Sequence, residues 1–224
     1  MSKAEEYVIE LPKSRDGLPC LSYSQISTWK KNKRDYMRQY FFGEKFTGNQ
    51  YTEFGSLIGN ALEKGDFSKF TTKEQELLKT IPRYDQFEKY ISLKFKGFHV
   101  IGYIDTNSND YLNLVDYKTG EVKDEKIAEY QDDDYIQLDI YSAALLQEHG
   151  VLPKNVQVIL IDRTGNAFKN EPLKLGSKIH PITKKVTKAR IKQVMADIEA
   201  VAKDISDHYK VFLELQKLTS YVKE

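Results

Sequence analysis

Three successive runs of alternating apolar and polar residues between positions 91 and 120 constrain this fold more than any other stretch. Ile91, Leu93 and Phe95 alternate, Lys96-Gly97 can turn the chain, and Phe98 to Asp105 reads as the returning strand. A polar turn of Asn107, Ser108, Asn109 and Asp110 then leads into a third strand, Tyr111 to Lys118. The period of two puts Leu112, Leu114, Asp116 and Lys118 on one face. Such a strand buries two leucines and then presents a carboxylate and an amine on the same side. It is not building a plain core, because burying charge without a partner is costly.

The flanking segments are mostly helical. Ser22 stands three residues before Gln25, the capping-box spacing, and Ile26, Trp29, Met37, Tyr40 and Phe41 predict one helix running to Gly43. A second helix is expected over Phe54–Lys64 with Gly65 as its stop, and a polar one over Thr72–Lys79. After Gly120 comes an acidic loop containing Asp124, Glu125 and Glu129. A helix from about Asp134 to Glu148 follows, with Asp132, Asp133 and Asp134 at the end where the helix dipole favours negative charge. Val156–Ile161 reads as a buried strand with Ala167–Leu175 as a candidate neighbour. Residues 187–218 read as a long helix with Ile191, Val194, Ile198, Val201, Ile205, Phe212 and Leu215 at three-four spacing.

Helices, an antiparallel meander and a helical crossover to another strand make an α/β fold, a mixed central sheet flanked by helices. Without repeats or a Gly/Pro/Ser-rich linker, residues 1–224 read as one domain with an extended N-terminal arm over 1–20.

The formal net charge is +1, so any polyanion must be recognised by local patches. Lys30, Lys31, Lys33, Arg34 and Arg38 form one basic cluster, and Lys178, Lys184, Lys185, Lys188, Arg190 and Lys192 another. Taken singly, each charge run is first a solvated face. Cys20 is the single cysteine, which excludes an internal disulfide, a cysteine-built zinc site and an Fe–S cluster held by this chain alone. The N-terminus has no apolar signal region, and no run approaches the ~20 apolar residues of a membrane span. A reducing, cytoplasmic location is the expected default. His99, His149, His180 and His208 make no recognisable pair, although His99 lies in the meander. The stripe on the last helix suits core packing, with homo-oligomer formation as the second reading.

Asp105 ends one strand and Asp116 lies near the end of the next. Neighbouring strands are about 4.8 Å apart, so the two carboxylates can share one hard cation, with Lys118 roughly 7 Å further along the same face. Two carboxylates and an ammonium around Mg²⁺ or Mn²⁺ suit phosphodiester hydrolysis: activated water, offset phosphoryl charge and a lysine at the developing charge. A bare Asp-x-Lys triplet is more often a surface ion pair, so the flanking pattern matters.

Gly102-Tyr103-Ile104-Asp105, ten residues, then Asp116-Tyr117-Lys118-Thr119-Gly120 resembles the core of the PD-(D/E)XK nuclease superfamily, in particular its RecB-like exonuclease branch. Leu21-Ser22-Tyr23-Ser24-Gln25-Ile26 through Tyr36 and Tyr40 resembles that branch's N-terminal helix signature. Phe54-Gly55-Ser56-Leu57-Ile58 through Leu62-Glu63 resembles its second helix, and Gln137-Leu138 with Tyr141 resembles its fourth motif. The resemblance spans residues 20–145. It implies a restriction-endonuclease-like fold and a metal-dependent DNA nuclease acting on single- or double-stranded ends, an exonuclease or end-processing enzyme. Asp105, Asp116 and Lys118 would be catalytic. Asp105, Asp116 and the Tyr117 carbonyl would ligate one or two Mg²⁺ or Mn²⁺ ions. Gln137, Tyr141, Ser22, Ser24, Lys33 and Arg34 would serve substrate binding or support of the site.

The sequence also departs from the branch. Its usual histidine on the second helix aligns with Gly59, so Glu63, or Glu53 or Glu88, would have to supply the missing ligand. Asn32-Lys33 stands where many relatives carry Cys-Pro, which points to a compact, cluster-free form as in phages and mobile elements. Loss of the histidine leaves a second reading open, a nuclease fold retained as a DNA-binding module. A third is an interaction adaptor.

Overall fold

The computed structural model describes residues 9–12, 19–45 and 48–221; Tyr7 and Val8 of the expected N-terminal arm lie outside these. The chain divides into two compact units, one of residues 1–46, 92–102 and 192–224 and the other of residues 47–91 and 103–191.

In the first unit, strand β1 (Cys20–Ser22) runs into helix α1 (Tyr23–Lys31), with Ser22 as the N-cap accepting the Gln25 N–H. The single helix expected to reach Gly43 is broken. Asn32 adopts φ −157° and becomes the N-cap of a short helix α2 (Lys33–Tyr36), its side chain accepting from the Arg34 and Asp35 N–H groups. A π-helical turn, Met37–Phe41, follows. Ile26, Trp29 and Phe41 are buried on the two sides of the break, but an asparagine side chain competes with the helical ladder for backbone donors and restarts the helix. Trp29 and Tyr36 pack edge to face at 5.0 Å, both almost fully buried. The Trp29 indole N–H donates to Asp204 at 2.9 Å. Asp204 belongs to the long helix α7 (Lys188–Tyr221), whose Ile198, Ala202 and Ile205 are buried.

The second unit holds helices α3 (Gln50–Lys64) and α4 (Thr72–Leu78), each opened by a capping box, Asn49/Thr52 and Thr71/Glu74. Gly65, at φ +65°, closes α3 in the left-handed conformation the sequence anticipated. Strands β2 (Gln86–Phe95) and β3 (Phe98–Asn107) run on from one unit into the other, followed by β4 (Asn113–Gly120). The acidic segment after β4, read as a loop, contains helix α5 (Asp124–Gln131), and α6 (Gln137–His149) ends at Gly150. These two form the crossover to β5 (Asn155–Thr164), which pairs parallel with β4 from Asn113↔Asn155 to Gly120↔Asp162.

The partner of β5 is β6 (Lys174–Lys184), not the expected Ala167–Leu175; Ala167–Lys169 instead makes a 3-10 turn. Strand β6 is the outer strand and carries three lysines and Pro181, a polar edge composition without a hydrophobic signature. The strand order is β1-β3-β4-β5-β6 with β2 on β3, a mixed six-stranded sheet flanked by helices. In the second unit Val115, Ile159 and Ile161 form one buried cluster with Phe54, Ile58, Leu62 and Leu78 of α3 and α4.

Candidate active site

Strands β3 and β4 are antiparallel, with Thr106 opposite Val115 and Asn107 opposite Leu114. Continuing that register by one step puts Asp105 across from Asp116. There the Asp105 carboxylate accepts the Tyr117 backbone N–H at 2.5 Å, so the meander brings the two aspartates together. The alternation of β4 sends Val115 into the α3/α4 cluster while Asp116 is directed to the opposite side, towards α6.

Asp116 is 0 % exposed and both of its oxygens are hydrogen-bonded. Lys118 Nζ lies 2.7 Å from Oδ2, Tyr135 donates its hydroxyl to Oδ2 at 3.2 Å, and Gln137 Nε2 donates to Oδ1 at 2.9 Å. Gln137, in the first turn of α6, also bonds the Tyr141 hydroxyl at 2.6 Å and accepts from Tyr135 at 3.0 Å. The i,i+4 pair expected on one helix face is therefore a buried bracket behind Asp116. Burial raises the Tyr141 hydroxyl above its ordinary range, reinforced by the Asp116 charge. Tyr135 went unnoticed in the sequence because a tyrosine just ahead of a helix is an ordinary core residue.

In front of Asp105 is an open cleft of about 420 Å³, walled by α3 (Tyr51, Thr52, Gly55, Ser56, Gly59, Asn60 and Glu63), by Phe87 and Glu88 of β2, and by Asp105, Tyr117, Lys118 and Thr119, with Asp116 buried behind. A Cβ at Gly55 would make an ordinary contact with Thr119 Oγ1 at 3.5 Å. At Gly59, where the branch's histidine aligns, a Cβ would meet nothing within 4 Å. Phe87 and Glu88 are consecutive yet line the same cleft, which a regular strand forbids. Glu88 has φ +47°, a left-handed residue inside a strand, and this irregularity turns its side chain to the cleft.

The carboxylates act on one another. Burial pushes the Asp105 carboxyl up to about 7, aided by the Asp116 and Glu88 charges and opposed by Lys118 and the Tyr117 N–H. Glu88 is likewise raised by burial, then by Glu63 and Asp116. For Lys118, burial alone would lower the ammonium's pKa; Asp116 and Asp105 outweigh it and raise the value. Among the described residues no three His, Cys, Asp or Glu side chains converge closely enough to hold an ion as they stand. The donor set nevertheless fits a hard divalent cation. It includes the Asp105 and Glu88 carboxylates, whose proton affinity is raised by burial and then by neighbouring negative charge, a strain that a cation relieves.

Several expected site residues lie in the first unit. Ser22 and Ser24 hydrogen-bond each other at 2.8 Å, with Ser22 also capping α1. Lys33 pairs with Asp204 at 2.6 Å and lies over the Trp29 ring, and Arg34 is exposed. Glu63 and Glu88 share the cleft, while Glu53 is exposed and is not part of its wall. His99 bonds Ser92 in the first unit.

A family model described as the PD-(D/E)XK nuclease superfamily matches residues 67–218, which include Asp105, Asp116, Lys118, Gln137 and Tyr141. Among solved structures, a Eubacterium rectale protein named "Putative exonuclease" is similar with a TM-score of 0.50 and 14% identity. The match covers 85% of this chain and 80% of that one, and it is a likeness of fold. No curated protein matches the sequence.

Proposed function

Since the chain belongs to the PD-(D/E)XK nuclease superfamily, we propose that it is a divalent-metal-dependent DNA nuclease of the RecB-like branch, acting on DNA ends in phage or mobile-element replication or recombination. The observation that supports this most is the opposition of Asp105, at the wall of an open cleft, to the buried Asp116 on the next strand, with Lys118 reaching both the cleft and Asp116.

Asp105 and Asp116 would hold the metal, with the Tyr117 carbonyl, and Glu63 or Glu88 would complete the set from the cleft walls. A bound Mg²⁺ or Mn²⁺ would supply Lewis-acid activation of water and charge neutralisation at the scissile phosphate. The chain's own groups do the rest. Lys118 is held by Asp116 and is partly exposed to the cleft, so its ammonium can turn to a phosphoryl oxygen and stabilise developing negative charge. Gln137 and Tyr135 hold Asp116 from behind, with Tyr141 bonded to Gln137, so its carboxylate keeps its direction when Lys118 turns away. Asn60, Ser56 and Thr119 offer neutral donors along the walls.

The test is cleavage of end-labelled linear DNA by the purified protein with Mg²⁺ or Mn²⁺, beside Asp116→Ala. Metal-dependent degradation that the variant loses supports the proposal, and equal activity of the two overturns it. DNA binding without cleavage under any metal would favour the reading as a binding module, for which the glycine at position 59 is the specific ground.

A further inference from the structure

Beside the cleft, the connection between β5 and β6 carries an aromatic and cationic surface for which the carboxylate chemistry has no use. Tyr51, in the first turn of α3, is both a wall of the cleft and the anchor of that connection. Its hydroxyl donates to Asn166 Oδ1 at 3.3 Å and accepts the Ala167 N–H at 3.1 Å. Asn166 Oδ1 in turn accepts the Phe168 N–H at 3.0 Å. The turn is thus pinned to the cleft wall at the point where Phe168 projects, and this side chain is 86 % exposed. The Phe168 ring lies 5.6 Å from the Tyr51 ring, and the Arg163 guanidinium sits over the same tyrosine at 4.2 Å.

A lone exposed phenylalanine is unremarkable on a protein surface. Here it comes with a fixed mount and a row of cations. Arg163 Nη1 is buried and has no hydrogen-bond partner among the described residues, so the guanidinium keeps donor capacity. Lys169 and Lys178 line the same hollow as Arg163. Of its carboxylates, Glu121 is paired with Lys123, and Asp162 accepts the Val122 and Ser177 N–H groups, leaving Glu171 as the other acidic wall. An exposed ring flanked by cations, continuous with a cleft for phosphodiester chemistry, matches a polyanion with flat apolar units. A single nucleic-acid strand has that chemistry, whereas a duplex hides its base faces.

We propose that this surface takes the unpaired end of a DNA strand, with a base stacked on Phe168 and backbone phosphates facing Arg163, Lys169 and Lys178. The inference rests on the reading of the neighbouring cleft as a nuclease site and gives that site a preference for single-stranded or tailed ends over blunt ones. Binding is measured in EDTA, by fluorescence anisotropy with a labelled oligothymidylate and a blunt duplex of equal length, so cleavage plays no part in the readout. Phe168→Ala should weaken oligothymidylate binding about tenfold and duplex binding by about twofold or less. A 2-aminopurine near the strand end should be quenched by wild type and not by Phe168→Ala. Arg163→Gln should reduce the salt dependence of binding by about one phosphate contact, while Arg163→Lys, which keeps the charge, should retain it.

Unchanged oligothymidylate affinity in Phe168→Ala, or equal losses on both DNAs, overturns the inference. Either result alongside metal-dependent cleavage by wild type defeats the surface and leaves the nuclease standing. Phe168-dependent strand binding without cleavage defeats the nuclease and leaves the surface.

Discussion

The Lys118 ammonium lies 2.7 Å from Oδ2 of the fully buried Asp116. Two residues on one strand face are held as an ion pair whose cation keeps some access to solvent. Removing Lys118 leaves the Asp116 charge buried without its counter-ion, which costs more than removing both. Lys118→Met should destabilise the fold by about 3 kcal/mol or more, and Asp116→Asn/Lys118→Met by clearly less than the sum of the two singles. Urea unfolding of the four-protein cycle measures this, and additive effects would contradict a coupled pair.

Gln137 donates to Asp116 Oδ1 from a buried position. Gln137→Ala therefore leaves a buried acceptor short of one partner, an expected loss of about 1–3 kcal/mol. Cleavage should fall as well, because Asp116 loses its orienting bond. Gln137→Glu would instead set a second carboxylate against Asp116, and its cleavage should be the lower of the two.

Glu63 and Glu88 reach the cleft from different elements, and only Glu88 depends on a left-handed backbone. Calorimetric titration of Mn²⁺ into Glu63→Gln and Glu88→Gln separates them: the variant that loses about tenfold or more in affinity identifies the third carboxylate. Equal affinity in both variants and wild type would remove both from the ligand set.

Gly59 sits in the interior of α3 with open space where its Cβ would be. Gly59→Ala should stabilise the protein by about 0.5–1 kcal/mol, through helix propensity and a less mobile unfolded chain. Gly59→His has room for its first atoms and would place an imidazole on the cleft wall. Tighter Mn²⁺ binding than wild type is the expected result.

Asp204 gives a pH-dependent contribution to the first unit. Its burial alone would raise the carboxyl, but hydrogen bonds from Lys33 and Trp29, with the Lys33 and His208 charges, hold it below the ordinary value. The unfolded chain thus takes up this proton more readily. The stabilisation is present above the ordinary pKa of about 4 and is lost as pH falls below it. Thermal melts of wild type and Asp204→Asn should differ at neutral pH and converge towards pH 3.

Much of this molecule is legible in local pattern. The alternation from Ile91 to Lys118 located the strands that carry both aspartates, Gly65 marked a helix end, and the three-four spacing from Ile191 onward marked the long helix. These signals are written in neighbouring residues, because a strand's faces and a helix's stripe repeat over two to four positions. Where the pattern was weak the reading slipped: Asn32 restarts a helix that the apolar spacing carried through, α5 lay unseen in acidic sequence, and edge strand β6 has no hydrophobic period.

What local pattern could not hold was the set of partners. That Gln137 and Tyr135 close on Asp116, that Glu88 turns into the cleft through a left-handed backbone, and that Tyr51 ties the cleft wall to Phe168 all depend on residues far apart in the chain. Residue types and their order determined the aspartate–lysine centre. Tertiary packing alone decided which side chains surround it, since burial, like-charge crowding and hydrogen-bond geometry exist only once the strands and helices have met.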